Sequence, residues 1–219
     1  MRSQAMKIDI ISDTICPWCF IGKRKLESAI KQRPQTRIEI RWQAFFLNPD
    51  MPEGGMDRQD YVNRKFGGSV RAKEIYDRIT TVGKTVDIAF RFDLITRTPN
   101  TTRSHRLIHY ADQWNCQDMV VEELFRRYFL EGQDIGDLEV LTEAAAAAGL
   151  DRNDTTAYLQ SNADRQLVVA SDQNARSLGI SGVPFFVFEN KYAVSGAQSS
   201  ELFLQTIDRI EQEAMTTAS

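Results

Sequence analysis

From Arg37 to Phe45 the residues alternate without a break. Ile38, Ile40, Trp42 and Ala44 fall on one side; Arg37, Glu39, Arg41 and Gln43 fall on the other. This is the period-two signature of a strand with one buried face. A shorter strand, Lys7–Ile11, precedes it. Between the two, Pro17 to Lys31 carries Phe20, Ile21, Leu26, Ala29 and Ile30 at helical spacing. Strand, helix and strand in close succession make a βαβ unit, with parallel strands and a right-handed crossover.

The segment Leu47 to Met56, with two prolines and two adjacent glycines, then breaks the pattern. The following residues read as helices over 57–66, 69–82, 101–114, 118–130, 137–148 and 153–160, with a further helix over 163–178. Asn100 or Thr101 suits an N-cap, and Gly149 suits a C-terminal cap. Val183–Phe188 reads as a buried strand. Glu189-Asn190-Lys191 turns the chain, and Tyr192–Ser195 pairs back as a hairpin. Ser199 can cap a last amphipathic helix holding Leu202, Phe203, Ile207 and Ile210. Without the long helical block the order is β-α-β-α-β-β-α, the minimal thioredoxin arrangement. The expected fold class is therefore α/β, a thioredoxin fold with an inserted all-helical domain. The expected parts are 1–58 and 163–219 for the thioredoxin-like domain and 59–162 for the helical insertion.

Composition narrows the function classes. Lys and Arg number 27 against 30 Asp and Glu, for a net charge of −3. No bulk basic field exists to attract nucleic acid or acidic lipid, so neither is an expected partner. No uncharged apolar run approaches the roughly 18 residues of a membrane span. The first residues lack the apolar stretch of about 7–15 residues that marks a secretory signal, so a cytoplasmic location is expected. Three cysteines cannot form a disulfide framework, because one is always left over. Two histidines leave little material for a metal site.

Two of the cysteines form Cys16-Pro17-Trp18-Cys19, placed where the first helix begins. Cysteine is nucleophilic as the thiolate. At a helix N-terminus Cys16 meets unpaired N–H groups and the positive end of the helix dipole, and both favour the thiolate. Cys19 lies one turn on along the same face, so the two sulfurs can bridge. Pro17 is tolerated in the first turn, where its missing N–H costs nothing. Trp18 sets a large apolar ring beside the sulfur. The expected chemistry is a redox-active disulfide: Cys16 forms a mixed disulfide and Cys19 resolves it. Cys16 is expected to have a depressed pKa and Cys19 is not. Zinc is the competing use of this spacing. It would need Cys116, His105 or His109 as further ligands and a second knuckle that the chain lacks, so no metal is expected.

Several segments together resemble the DsbA family, in its FrnE-like branch. They are Ser12-Asp13, Ile15–Cys19 and Ile21-Gly22-Lys23 at the start, then Phe46–Pro49, Asn100-Thr101 with Ser104–Leu107, and Tyr128-Phe129 with Glu131-Gly132. Gly182–Val187 and Ser195–Gln198 complete the set. The resemblance runs from about Lys7 to Ile210. It implies a thiol–disulfide oxidoreductase with Cys16 as nucleophile, Cys19 as resolving cysteine and Pro184 as a cis-proline beside them. A cis Val183–Pro184 bond would offer the Val183 backbone to an incoming extended peptide. DsbA carries His where this chain has Trp18, which implies a less oxidising protein.

The same superfamily includes 2-hydroxychromene-2-carboxylate isomerases and kappa-class glutathione transferases, which place serine where Cys16 stands and bind glutathione. Their layout implies glutathione as a co-substrate at Asn48, the Val183 backbone and Gly196-Ala197-Gln198. The plain alternative is that Asn48 starts a turn and Gly196-Ala197 links strand to helix. A glutathione-dependent transferase or isomerase is the alternative function, and a peptide-holding chaperone a third.

His105 and His109 share a helix face. His105 is either a satisfied histidine or part of the substrate groove. Cys116 reads as a small buried residue. Trp18, Phe45 and Phe46 suit an apolar surface for unfolded peptide, and the core is the equal alternative for Phe45 and Phe46. Leu124, Phe125, Tyr128 and Phe129 read as core. Protein or small-molecule thiols and disulfides are the expected partners, with the chain a monomer or a homodimer.

Overall fold

The computed structural model describes residues 5–217; the expected first and last parts, 1–58 and 163–219, therefore begin and end outside the described residues. The elements follow the expected order. β1 (Met6–Ser12), α1 (Pro17–Lys31) and β2 (Ile38–Ala44) form the βαβ unit. β1 and β2 pair in parallel, with Met6 opposite Ile38 and Ser12 opposite Ala44. β5 (Phe185–Phe188) and β6 (Tyr192–Ser195) complete a four-stranded sheet of order β2-β1-β5-β6. β5 runs antiparallel to both of its neighbours. α9 (Ser200–Thr217) closes the chain and packs beside α1.

Between β2 and β5 the chain is helical: α2 (Arg58–Phe66), α3 (Ser69–Lys84), α4 (Thr102–Ala111), α5 (Gln117–Glu131), α6 (Leu138–Ala147), α7 (Arg152–Gln160) and α8 (Arg165–Ser177). α4 stops at Ala111, short of the expected Trp114. Asp112–Trp114 tightens into a 3-10 turn, and Asn115 takes a left-handed conformation that ends it. One feature left no sequence signal: β3 (Met56–Asp57) pairs antiparallel with β4 (Arg97–Thr98), a two-residue ladder too short to show alternation.

β5 also differs from the expected buried run. Only Phe186 and Phe188 are fully buried, while Phe185 and Val187 are half-buried. Val183 and Pro184 precede the strand rather than joining it. Proline has no N–H to donate to a ladder, and the Pro184 carbonyl instead accepts from Gly196 N at 2.8 Å.

The core runs continuously from the sheet into the helical block. Phe20 of α1 stacks on Phe125 of α5, ring centroids 5.1 Å apart, and meets Phe90 edge-on at 6.1 Å. Phe129 joins the same cluster. Phe45 and Phe46 are buried, so they belong to the core rather than to a substrate surface. α1 is therefore held between sheet and insertion, and its N-terminus is fixed from both sides.

Candidate active site

Cys16 is the N-cap of α1, with extended backbone angles and Pro17 as the first helical residue. Its N–H donates to the Asp13 carbonyl at 3.0 Å, and its own carbonyl accepts from Cys19 N at 3.0 Å. The Cys16 side chain is thus presented at a helix start. Cys16 is 3% exposed and Cys19 1%. Both thiols are free, as is the buried Cys116, whose Sγ donates to the Ala111 carbonyl at 3.6 Å. Cys116 therefore lies at the start of α5, as a small buried residue.

Burial pushes the Cys19 thiol well up from its ordinary value, and the neighbouring Cys16 adds to this. Hydrogen bonds from Ser12 and the Asp13 backbone oppose it. This agrees with the expectation that Cys19 is not depressed: a sulfur sealed under the first turn is poorly solvated as a thiolate.

The Val183–Pro184 bond is cis. The Cys16 Sγ donates to the Val183 carbonyl at 3.6 Å, which brings the predicted proline loop to the predicted nucleophile. Trp18 is half-buried and packs against the main core. The close approach of α1 to this loop depends on Gly22. A Cβ there would lie 3.0 Å from Pro184 Cγ and 3.0 Å from Phe186 Cζ. The signal was present in sequence as a lone glycine inside a helix, a position that costs about 1 kcal/mol relative to alanine and so marks a packing need.

Gly196, Ala197 and Gln198 sit against the same loop. Gly196 N holds the Pro184 carbonyl, and the Ala197 carbonyl accepts from Lys25 Nζ at 2.9 Å. Gln198 Nε2 donates locally to the Ser195 carbonyl.

On the opposite flank, Asp13 is fully buried, and its Oδ2 accepts from Leu47 N at 2.7 Å. Its Oδ1 lies 3.4 Å from His105 Nε2 without hydrogen-bond geometry, and neither atom has a hydrogen-bond partner. His105 is 3% exposed and meets the Phe46 ring edge-on at 5.3 Å. His105 is thus buried rather than exposed, and its Nε2 has no hydrogen-bond partner. His109 lies on the same face but is half-exposed.

Asn48 does start a turn, its carbonyl accepting from Met51 N at 3.1 Å. It also lines a cavity of about 290 Å³ with Tyr61, Arg64 and Lys65. Asn48 Nδ2 is a buried donor without a hydrogen-bond partner. Burial raises the Tyr61 hydroxyl, with Asn48 opposing and the charges of Asp13 and Cys16 adding to it. Tyr61, Arg64 and Lys65 escaped sequence reasoning because α2 reads only as a polar surface helix. Among the described residues no group of three or more His, Cys, Asp or Glu is placed to hold a metal.

A four-stranded thioredoxin sheet, a dithiol at the start of its first helix, a cis-proline loop against the sulfur and a helical insertion define a thioredoxin-fold protein of the DsbA type. Residues 7–208 match the DSBA-like thioredoxin domain family, and the chain belongs to it. It is similar to the crystal structure of a probable DsbA oxidoreductase from Streptomyces coelicolor, with 31% identity and a TM-score of 0.83, over 95% of this chain and 91% of that one. Two more distant structures share the fold. A 2-hydroxychromene-2-carboxylate isomerase is 18% identical with a TM-score of 0.70, over 97% and 100% of the two chains. The cytosolic disulfide reductase DsbM from Pseudomonas aeruginosa, in a structure with GSH, is 15% identical with a TM-score of 0.61, over 94% and 99%.

Proposed function

We propose that this protein is a protein disulfide oxidoreductase in which Cys16 is the nucleophile, Cys19 the resolving thiol and Pro184 the element that presents backbone to the substrate. The observation that carries this reading is the meeting of Cys16 Sγ with the Val183 carbonyl at 3.6 Å, at a helix N-terminus with a second thiol one turn inward. The Cys16 thiolate attacks a substrate disulfide, the substrate S–S bond breaks, one of its sulfurs leaves as thiolate and the other stays on Cys16 as a mixed disulfide. Cys19 then attacks Cys16 Sγ, the Cys16–Cys19 bond forms, and the substrate leaves as thiolate. Pro17 and Trp18 shape the first turn, and Val183 supplies the carbonyl.

The testing experiment is a redox titration of the pair against glutathione, together with dithiol-dependent insulin reduction. A single two-electron couple is expected, more reducing than the roughly −120 mV of DsbA. Insulin reduction at the full rate by a Cys16→Ser variant would overturn the assignment.

Glutathione is the co-substrate this reading favours. Asn48 offers an unpartnered amide donor beside Arg64 and Lys65, a donor set suited to a carboxylate. Glutathione conjugation by the wild type, with no disulfide exchange, would favour the transferase or isomerase alternative instead. A cytoplasmic location fits three free thiols, and cell fractionation tests it. No helix among the described residues is long and apolar enough to cross a membrane.

A further inference from the structure

We propose that Asp172 and Arg176 of α8 are positioning residues for Cys16, acting on the nucleophile through the backbone that follows β2. The inference rests on the dithiol reading above. Asp172 is 5% exposed. Its Oδ1 accepts from Phe46 N at 2.8 Å, and its Oδ2 accepts from Arg176 Nε at 2.8 Å. Arg176 Nη2 also donates to Asp172 Oδ1 at 2.9 Å and to the Phe46 carbonyl at 2.6 Å. One ion pair therefore holds both backbone polar groups of Phe46. The guanidinium also lies over the Phe45 ring, 4.2 Å from its centroid. A planar fork that meets a carboxylate at two points fixes direction as well as distance.

The next residue carries this placement onward. Leu47 N donates to Asp13 Oδ2 at 2.7 Å. Asp13 is fully buried and its Oδ1 has no hydrogen bond, so the Leu47 bond sets where the side chain lies. The Asp13 carbonyl in turn accepts from Cys16 N at 3.0 Å, and Cys16 is the N-cap of α1. From Asp172 to Cys16 each link is either the covalent chain or a hydrogen bond of 3.0 Å or less. A parallel tie joins Phe45 N to the Ser12 carbonyl at 3.0 Å.

The same end of α8 reaches the proline loop by packing. Ala175 and Ile180 cluster with Ile11 and Phe45, and Val183 lies against that cluster. The ion pair thus sits where the ends of β1 and β2 converge with the cis-proline loop. A buried carboxylate is costly unless its bonds are complete. The bonds that Asp172 completes lock the segment that supports Asp13. Neither Asp172 nor Arg176 touches the reacting sulfur; their effect is geometric. Disulfide exchange needs the attacking sulfur in line with the substrate S–S bond, and a misplacement of about 1 Å can cost roughly 100-fold in rate.

The test reacts the reduced full-length protein with oxidised glutathione, quenches it in acid and reads it by mass spectrometry. Cys16 Sγ attacks one glutathione sulfur, the S–S bond breaks, one glutathione leaves as thiolate and the other stays on Cys16. Disappearance of the reduced protein reports this step. Iodoacetamide alkylation of Cys16, located by peptide mapping, is followed in parallel. A small reagent that approaches freely reads the accessibility and reactivity of the sulfur; exchange also reads its alignment. Asp172→Ala is expected to slow exchange by about 10-fold or more and Arg176→Ala by about 5-fold. Asp172→Asn, which keeps an acceptor for Phe46 N, is expected to stay within about 3-fold of wild type, and Cys16 alkylation within about 3-fold in all three variants. Cys16 is 3% exposed, so a variant that merely loosened the fold would alkylate faster. Melting curves check folding. Should Asp172→Ala fail to fold, Arg176→Ala, at a side chain 40% exposed, decides alone. Exchange within about 2-fold of wild type in the alanine variants, or slowed exchange with alkylation about 10-fold faster, would overturn the positioning role and leave the dithiol reading standing. A wild type inert toward oxidised glutathione would overturn both.

Discussion

The shaft of α1 and its cysteine-bearing tip meet opposite environments. Along its length, Phe20 sits in a filled aromatic cluster with Phe90, Phe125 and Phe129, roofed by the Arg24 guanidinium 4.8 Å above the Phe20 ring. Arg24 is itself anchored to Glu122 at 2.9 Å. Beside it, Lys23 is buried among Glu27, Asp118 and Glu122. Burial would lower the Lys23 ammonium, but these carboxylates outweigh it and hold it above its ordinary value. At the cysteine end, three buried polar atoms, Asp13 Oδ1, His105 Nε2 and Asn48 Nδ2, have no hydrogen-bond partner, and two cavities open beside them. Groups left unsatisfied in a packed interior are costly and call for an explanation. The contrast teaches that aromatic packing and ion pairs hold the shaft, while the residues around the tip are the two thiols and polar groups without partners.

The sharpest way to break that comparison is at the tip. Cys16→Ser is expected to abolish disulfide exchange, because a hydroxyl cannot replace the thiolate, while the melting temperature shifts little. Calorimetry beside the insulin assay checks both halves; a large loss of stability would show that the tip also holds the fold. The shaft gives the converse. Phe125→Ala is expected to cost about 3–5 kcal/mol of stability by opening a cavity in the aromatic cluster. Under conditions where it remains folded, its Cys16 alkylation rate should stay near that of wild type. Denaturant unfolding together with timed alkylation reads the two.

Gly22→Ala probes the boundary between the regions. Its Cβ would press on Pro184 and Phe186, with an expected cost of about 1–3 kcal/mol. Unlike Phe125→Ala, it should also slow exchange, because the loop it displaces carries the Val183 carbonyl.

The smallest effect lies outside both regions, where α9 meets β6. Hydrogen bonds from Lys191 and Tyr192, with Arg209 adding, hold the Glu213 carboxyl down at about 2, against an ordinary 4.5. A depressed carboxylate stabilises the fold above its unfolded value and loses that contribution as pH falls through its folded one. A small loss of stability is therefore expected between about 4.5 and about 2, and Glu213→Gln should remove it. Acid titration of the melting temperature in both proteins measures the difference.

Much of this was legible in the residues. The alternation at Ile38–Ala44 and the helical spacing from Phe20 to Ile30 made the βαβ unit readable. The dithiol spacing and the proline before β5 marked the site. Reading was poorest where a property arises from contact. Phe45 and Phe46 were ambiguous because an aromatic residue suits both a core and a groove. Arg64 and Lys65 looked like ordinary surface charge, and β3 and β4 were too short to carry a period.

By itself the sequence determined the order of elements, the spacing of the two cysteines and their place at a helix start. These depend on spacing along the chain, which local sterics and hydrogen bonding translate directly into structure. Only the tertiary structure decided that Cys19 is sealed from solvent, that Asp13 and His105 face one another without a bond, and that Gly22 lets Pro184 approach. Those facts depend on residues far apart in the chain, and the packing of one surface on another sets how deep a group lies and what it meets there.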